Sequence, residues 1–327
     1  MPTGREGWID RLRRSLERAG FYVADTHGVR PSSFDLAARR DATLLLIKVL
    51  KNIDALDAEE ARRLSELGHL FPAVVLVVGM SSGVSDLETG VVYTRYGVPI
   101  INEETLEEYL DKAIPPYLYA SPGGTFAPVD GPRLRALRVA RGLSLGSLAS
   151  VAGVSRRAIQ LYEDGAGAEI TVIERIEIHL GEPIVRPIEL FEVHRESPPA
   201  AEAERRPPAP AAERPVSATG DPWRDGVLEQ LGDIGLDVTV TARAPFDALA
   251  RSPDLLLAAI GSLRTALHRA EILHGLARVT EGHAFFVVRE AFHRPSIDGL
   301  PILSAAELRR HRDPDELFEE LAERESP

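Results

Sequence analysis

Asp35 and Lys48 are the first residues of the chain whose types and spacing could do chemistry. In FDLAARRDATLLLIKVLKNID, residues 34–54, an acid in one short strand is followed, after twelve intervening residues, by the lone Lys of an apolar strand. The stretch reads like the heart of a nuclease with one part missing. A second chemical group stands further along. Between Gly131 and Glu163 there are six Arg and one acid, a local balance of +5. With Ile159 and Tyr162 on the inward face of a helix, Arg156, Arg157 and Gln160 point outward, a set suited to phosphates and base edges.

These residues need folded elements to hold them, and composition sets the limits. A chain of 327 residues suits two or three domains, and a hydrophobic fraction of 44% is ordinary for folded protein. No run of eighteen apolar residues and no signal-peptide pattern is present, so the sequence reads as cytoplasmic with no membrane partner. The absence of Cys excludes disulfides and Cys-ligated zinc. No cofactor and no metal is expected. The net charge of −12 repels nucleic acid on average but is silent on local clusters.

Three stretches read as folded. The first, from Gly7 to Lys112 within a domain of residues 1–118, alternates helix and strand. Trp8, Ile9, Leu12 and Leu16 share one helical face that stops at Gly20, and strands follow at FYVAD, SFDLAAR and TLLLIKVL. A helix over 58–70 leads to the strand AVVLVVG, and VPII feeds a helix that begins after Asn102. The stretch over 115–132, rich in Pro and Gly, marks a boundary. The Pro- and Ala-rich stretch over 195–222 cannot offset its ordering entropy and reads as a disordered tether.

The last stretch, 223–327, repeats the grammar of the first. WRDGVLEQLGDIGLDV matches WIDRLRRSLERAGFYV at an offset of 215, which pairs the chain's two tryptophans, Trp8 and Trp223. FDALARSPDLLLAAIG then matches FDLAARRDATLLLIKV, pairing Phe34 with Phe246, Asp35 with Asp247 and Arg39 with Arg251. GLPILSAAEL matches GVPIINEETL at an offset of 202. Ordered matches with shrinking offsets predict one α/β fold present twice, the second time with shorter loops.

The middle stretch is all helical. Leu134 and Leu137 mark a first helix, Ser144 caps a second, Gly153 supplies the positive φ of a tight turn, and Ser155 caps a third. With Ala149 small at the helix crossing and the YE-x-G ending at Tyr162, this pattern resembles the lambda-repressor and Cro type of helix-turn-helix domain, over residues 128–190, with two further helical segments after the turn. The resemblance implies a third helix in the major groove, with Ser155, Arg156, Arg157 and Gln160 as base-edge and phosphate candidates. The family's phosphate-clamping Gln at the start of the second helix is Leu145 here, which leaves that duty to Arg141, Ser144 or Ser147.

The opening stretch resembles the PD-(D/E)xK superfamily of restriction-like nucleases and archaeal Holliday-junction resolvases. The resemblance implies a first acid, and a second acid two residues before the Lys, holding a divalent metal, with the Lys stabilising developing charge. The second acid's position is Leu46, so an oxygen ligand is missing. Glu17 could supply a carboxylate but not in that strand position, and Asp41 sits in a turn. In the second copy neither Ala259 nor Ile260 replaces Lys48. Both copies therefore read as degenerate nuclease-like folds, with Asp35 and Lys48 a vestigial ion pair and no catalytic residue.

The layout as a whole resembles a family of archaeal HTH-type transcriptional regulatory proteins, on SFDLAARRD, LLLIKVLKNID, PGG and RGLSLGSLA…GVSRR. That resemblance implies a non-enzymatic, sequence-specific regulator of transcription with double-stranded DNA as partner. A structure-selective nuclease and a protein-binding scaffold are the rival readings. Because one helix-turn-helix module presents one recognition helix, a homodimer is expected, through the first domain paired with its own copy rather than with the third domain.

Overall fold

The computed structural model describes residues 4–26, 29, 32–192, 220–252, 254–290, 292 and 294–325. The expected tether therefore falls, up to residue 219, outside the described residues. Two compact units emerge, one gathering Met1–Val49, Arg62–Val75 and Val193–Pro327, the other Leu50–Ala61 and Leu76–Glu192.

The N-terminal stretch opens with α1 (Arg5–Arg18), which buries Trp8, Ile9, Leu12 and Leu16 as its pattern predicts. Strands β1 (Tyr22–Asp25), β2 (Leu36–Arg40) and β3 (Thr43–Asn52) follow, then α2 (Ala58–Leu70) and β4 (Val74–Ser82). Next come β5 (Ser85–Asp86), β6 (Val91–Arg95), β7 (Val98–Ile101) and α3 (Glu103–Lys112). Asn102 caps α3 by accepting from the Thr105 amide at 2.9 Å. Asp41 stands at φ 51 in the β2–β3 turn, where an acid tolerates the left-handed region.

The middle stretch departs from the expectation of helices alone. A hairpin of β8 (Leu118–Ser121) and β9 (Gly124–Ala127) occupies the Pro- and Gly-rich boundary, turning through Gly123 at φ 104. The helices are α4 (Gly131–Ala140), α5 (Leu145–Ala152), α6 (Arg156–Glu163) and α7 (Ile170–Leu180). A short strand, β10 (Ala168–Glu169), pairs back onto β9 and joins this module to the hairpin. The core of the module is Leu134, Leu148, Ala149, Ala152, Ile159 and Ile176, packed from all four helices.

The C-terminal stretch begins with α8 (Pro222–Asp233), β11 (Asp237–Val240), β12 (Ala248–Ser252) and β13 (Asp254–Gly261). Helix α9 (Leu263–Thr280) and strands β14 (His283–Val288), β15 (Ser296–Ile297) and β16 (Leu300–Ser304) follow, closed by α10 (Ala305–Leu308) and α11 (Pro314–Glu325). The duplication read from the sequence is a duplication of topology. Strands β1-β2-β3 have their counterpart in β11-β12-β13, and β4-β7-β6 in β14-β16-β15. In both copies the first three strands are antiparallel, and a parallel pair precedes the final antiparallel one.

Within the first unit the N-terminal elements meet the C-terminal copy through reciprocal contacts. Val77 pairs with Ile100 where Phe286 pairs with Ile302, which makes Leu70 and Val279 equivalent ends of α2 and α9. Arg39 donates to the Val279 carbonyl, and its counterpart Arg251 donates to the Leu70 carbonyl at 3.0 Å. Residue i meets j and the counterpart of i meets the counterpart of j, the signature of a two-fold interface, here made inside one chain. Phe71 packs edge-on against Phe246 with ring centroids 5.8 Å apart, and the Ser33 amide donates to the Arg243 carbonyl at 2.7 Å. The N-terminal copy is thus in contact with the C-terminal copy of the same chain.

The C-terminal copy also carries a pH-sensitive lock. Burial pushes the Glu307 carboxyl up, but hydrogen bonds from the Ser304 hydroxyl and amide and the Arg324 guanidinium outweigh it, bringing the pKa to about 2 from 4.5. A depressed acid stabilises the fold above its unfolded pKa and loses that contribution as pH falls toward its folded pKa. Glu307→Gln is therefore expected to be less stable than wild type at neutral pH, with the difference shrinking between pH 4.5 and about 2, as read by urea denaturation across that window.

Candidate nucleic-acid interface

The recognition helix is set by its two ends. Ser155 accepts the Ala158 amide at 3.1 Å and so starts α6, while Ser144 accepts the Ser147 amide at 3.0 Å and starts α5. Between them Gly153 closes α5 at φ 72, a conformation costly for any residue with a Cβ. The far end of α6 is fixed from α4. Arg138 and Glu163 form a bidentate ion pair, with Nη2 to Oε2 at 2.9 Å, and their side chains are only 12% and 8% exposed. At Gly131 a Cβ would stand 2.3 Å from the Glu163 carbonyl oxygen, so the start of α4 touches the end of α6.

With Ile159 fully buried, the opposite face of α6 is open. Arg156, Arg157 and Gln160 are exposed and line one concavity of about 580 Å³ with Leu145, Leu161 and Asp164. The stem of Arg156 runs along the start of α5, where its Cδ would lie 3.6 Å from a Cβ on Gly146. Arg141, Ser144 and Ser147 are also exposed, but neither serine has an idle hydroxyl, since each Oγ lies 2.8 Å from the other. Leu145 is half-buried against the module's core. Leu161 and Asp164 escaped the sequence reading, although they continue the outward row from Arg157 at helical spacing; a search for cations passes over them.

The corner around the acid–lysine spacing is closed by an arginine. Asp35 is buried, and its Oδ2 accepts both the Arg5 guanidinium at 2.7 Å and the Val49 amide at 2.8 Å. The ion pair of Asp35 is thus with Arg5, in place of the expected Lys48, whose Nζ donates to the Ser32 carbonyl at 2.7 Å. Arg5 also donates to the Val49 carbonyl, so one guanidinium closes the whole corner. Glu17 instead bridges to Arg13 at 3.5 Å on the surface of α1. In the second copy Asp247 accepts Arg224 at 2.6 Å and the Ile260 amide at 2.6 Å, and the strand registers place Ala259 where Lys48 stands. Burial pushes the Asp247 carboxyl up against the opposing pull of that amide and of Arg224 and Arg269.

A divalent metal does not fit these residues. A guanidinium is bonded to Oδ2 of the one acid there, and Leu46, which would have to supply a second oxygen, is apolar and 1% exposed. Among the described residues no three His or carboxylate side chains gather as a metal site, and no helix is long and apolar enough to cross a membrane.

A helix-turn-helix module combined with two α/β copies, each with an arginine on its buried acid, defines a DNA-binding class of protein. Residues 5–116 match the PD-(D/E)XK superfamily domain, and residues 134–185 match the helix-turn-helix family. A "Putative HTH-type transcriptional regulatory protein" of Halorubrum lacusprofundi is 37% identical over 98% of this chain and 97% of that protein. One of Halobacterium salinarum is 39% identical over 98% of each. Among solved structures, Archaeoglobus fulgidus Hjc, a Holliday junction resolvase, is 26% identical, covers 23% of this chain and 66% of its own, and has a TM-score of 0.20, too low to bear on function. The chain belongs to the family of HTH-type transcriptional regulatory proteins.

Glu163→Gln removes one charge of a nearly buried pair and leaves Arg138 uncompensated, an error that costs about 3–5 kcal/mol in comparable settings. Hydrogen exchange should show the amides of α4 and α6 opening together, with the two α/β copies unchanged.

Proposed function

We propose that this protein is a sequence-specific DNA-binding regulator of transcription that reads its operator with α6. The observation that carries the reading is the outward row of Arg156, Arg157 and Gln160 on a helix whose other face is locked by Ile159 and whose ends are fixed by Ser155 and the Arg138–Glu163 pair. In the major groove the residues at the start of such a helix reach base edges, and Arg makes the most common specific contact, to guanine. Arg141 and the start of α5, along which Arg156 runs, are the candidates for phosphates. The relatives named as transcriptional regulators support the same reading over almost the whole length.

The chain acts without cleaving. Asp35 and Asp247, each holding an arginine and a backbone amide, keep the fold in shape and serve no reaction. It works in the cytoplasm as a homodimer, since a single short recognition helix buries too little to select an operator. With the first domain's face in contact with the third domain, the pairing of two chains uses another surface.

Arg157→Ala is expected to lower specific affinity by about 1–3 kcal/mol and to relax preference at one base position. A selection of bound sequences checks this, and an equal loss on every sequence would make Arg157 a phosphate contact instead. Arg141→Ala should weaken all binding and reduce the salt slope by about one unit. Lys48→Met should leave DNA binding unchanged. Metal-dependent nicking by the wild type that disappears in Lys48→Met would overturn the non-enzymatic reading.

A further inference from the structure

One apolar side chain stands in the outward row of α6. Leu161 is 48% exposed, and at 3.6 residues per turn it lies about 160° round the helix from Ile159, which is fully buried. The core of the module therefore makes no use of it. A single exposed leucine is common on protein surfaces, so its surroundings decide whether it has a task.

Those surroundings are the residues already assigned to DNA. Leu161 lines the concavity of about 580 Å³ together with Leu145, Arg156, Arg157, Gln160 and Asp164. Leu145, the first residue of α5, packs partly against the module's core and also lines this concavity, so two leucines from two helices contribute carbon to it. Arg157 stands one helical turn before Leu161, and Gln160 is its chain neighbour. Asp164, three residues further on, is exposed and repels phosphate, which makes this end of the row a match for base edges rather than for the DNA backbone.

Base edges in the major groove are almost entirely polar. They show N7 and O6 of guanine, N4 of cytosine, N7 and N6 of adenine and O4 of thymine, and the C5-methyl of thymine is the one hydrocarbon group among them. A leucine laid over a polar edge strips its water and returns no hydrogen bond. Laid over a methyl, it buries carbon against carbon.

We propose that Leu161, with Leu145 beside it in the concavity, reads the C5-methyl of a thymine and so fixes one A·T pair of the operator. The inference rests on α6 reading DNA, and it adds to that reading a residue that selects without charge or hydrogen bond. Its contribution releases no counterion and is therefore independent of salt, unlike that of a phosphate contact.

The test uses the full chain and a short duplex that it enriches from a random-sequence pool. Each thymine of that duplex is replaced in turn by deoxyuridine, which deletes one methyl and leaves base pairing intact. In the wild type one such replacement is expected to weaken binding about fourfold, the worth of one buried methyl. In Leu161→Ala the same replacement should cost nothing, while the cost of deoxyuridine at other positions persists and the salt slope stays that of the wild type. Leu161→Met, which keeps an apolar side chain, should retain most of the methyl dependence. Absence of any enriched duplex would overturn both the operator reading and this inference. An enriched duplex bound equally well with every thymine replaced, or a deoxyuridine cost at each position that is the same in Leu161→Ala as in the wild type, would overturn the inference alone.

Discussion

A carboxylate buried between strands has to find donors, and the fold of both α/β copies turns on how it does so. Asp35 is buried next to Leu36, whose partner across the strands is Ile47, and an unpaired charge in such a place would cost several kcal/mol. The Val49 amide and the Arg5 guanidinium answer that need, and in doing so Arg5 fastens the first turn of α1 to the end of β3. The second copy solves the same problem from a different place. Arg5 lies three residues before Trp8, whereas Arg224 directly follows the equivalent Trp223, yet both reach the same carboxylate corner. What is preserved is therefore a charge at a point in space, delivered by whichever helical position can reach it.

Much of this was legible in the sequence because it rests on local rules. The capping serines, Gly153 and the inward Ile159 are each dictated by backbone geometry within a few residues, and all of them stand where the spacing put them. The strands around Asp35 and the repeat over 223–327 followed from period and order. What escaped was set by contacts between distant residues. Arg5 lies outside the acid–lysine motif, thirty positions before Asp35, and nothing between them says that it closes on that acid. The Arg138–Glu163 pair spans 25 residues and hides inside a count of local charge. The β8–β9 hairpin was lost for a different reason, since its Gly123–Gly124 turn reads as a break when the strands beside it are only four residues long.

Arg39 and Arg251 show how a repeat can be seen and still be misread. Matching them in the sequence established that the fold is present twice, but two equivalent arginines also imply two equivalent acceptors. In the structure those are the last carbonyls of α2 and α9, where helix ends carry unsatisfied oxygen and partial negative charge. The interface is thus built from groups that every copy of the fold possesses.

Joining the two halves in one polypeptide has a consequence for how the assembly responds to dilution and to change. An interface between separate chains dissolves as concentration falls, whereas one made within a chain keeps a fixed stoichiometry at any copy number. It also frees the halves to diverge, since a substitution is made once and not in mirror image. Phe71 against Phe246 has no mirrored aromatic pair, because Thr280 holds the place equivalent to Phe71. Each half has become a specific match for the other, and a stray second molecule would meet the wrong surface.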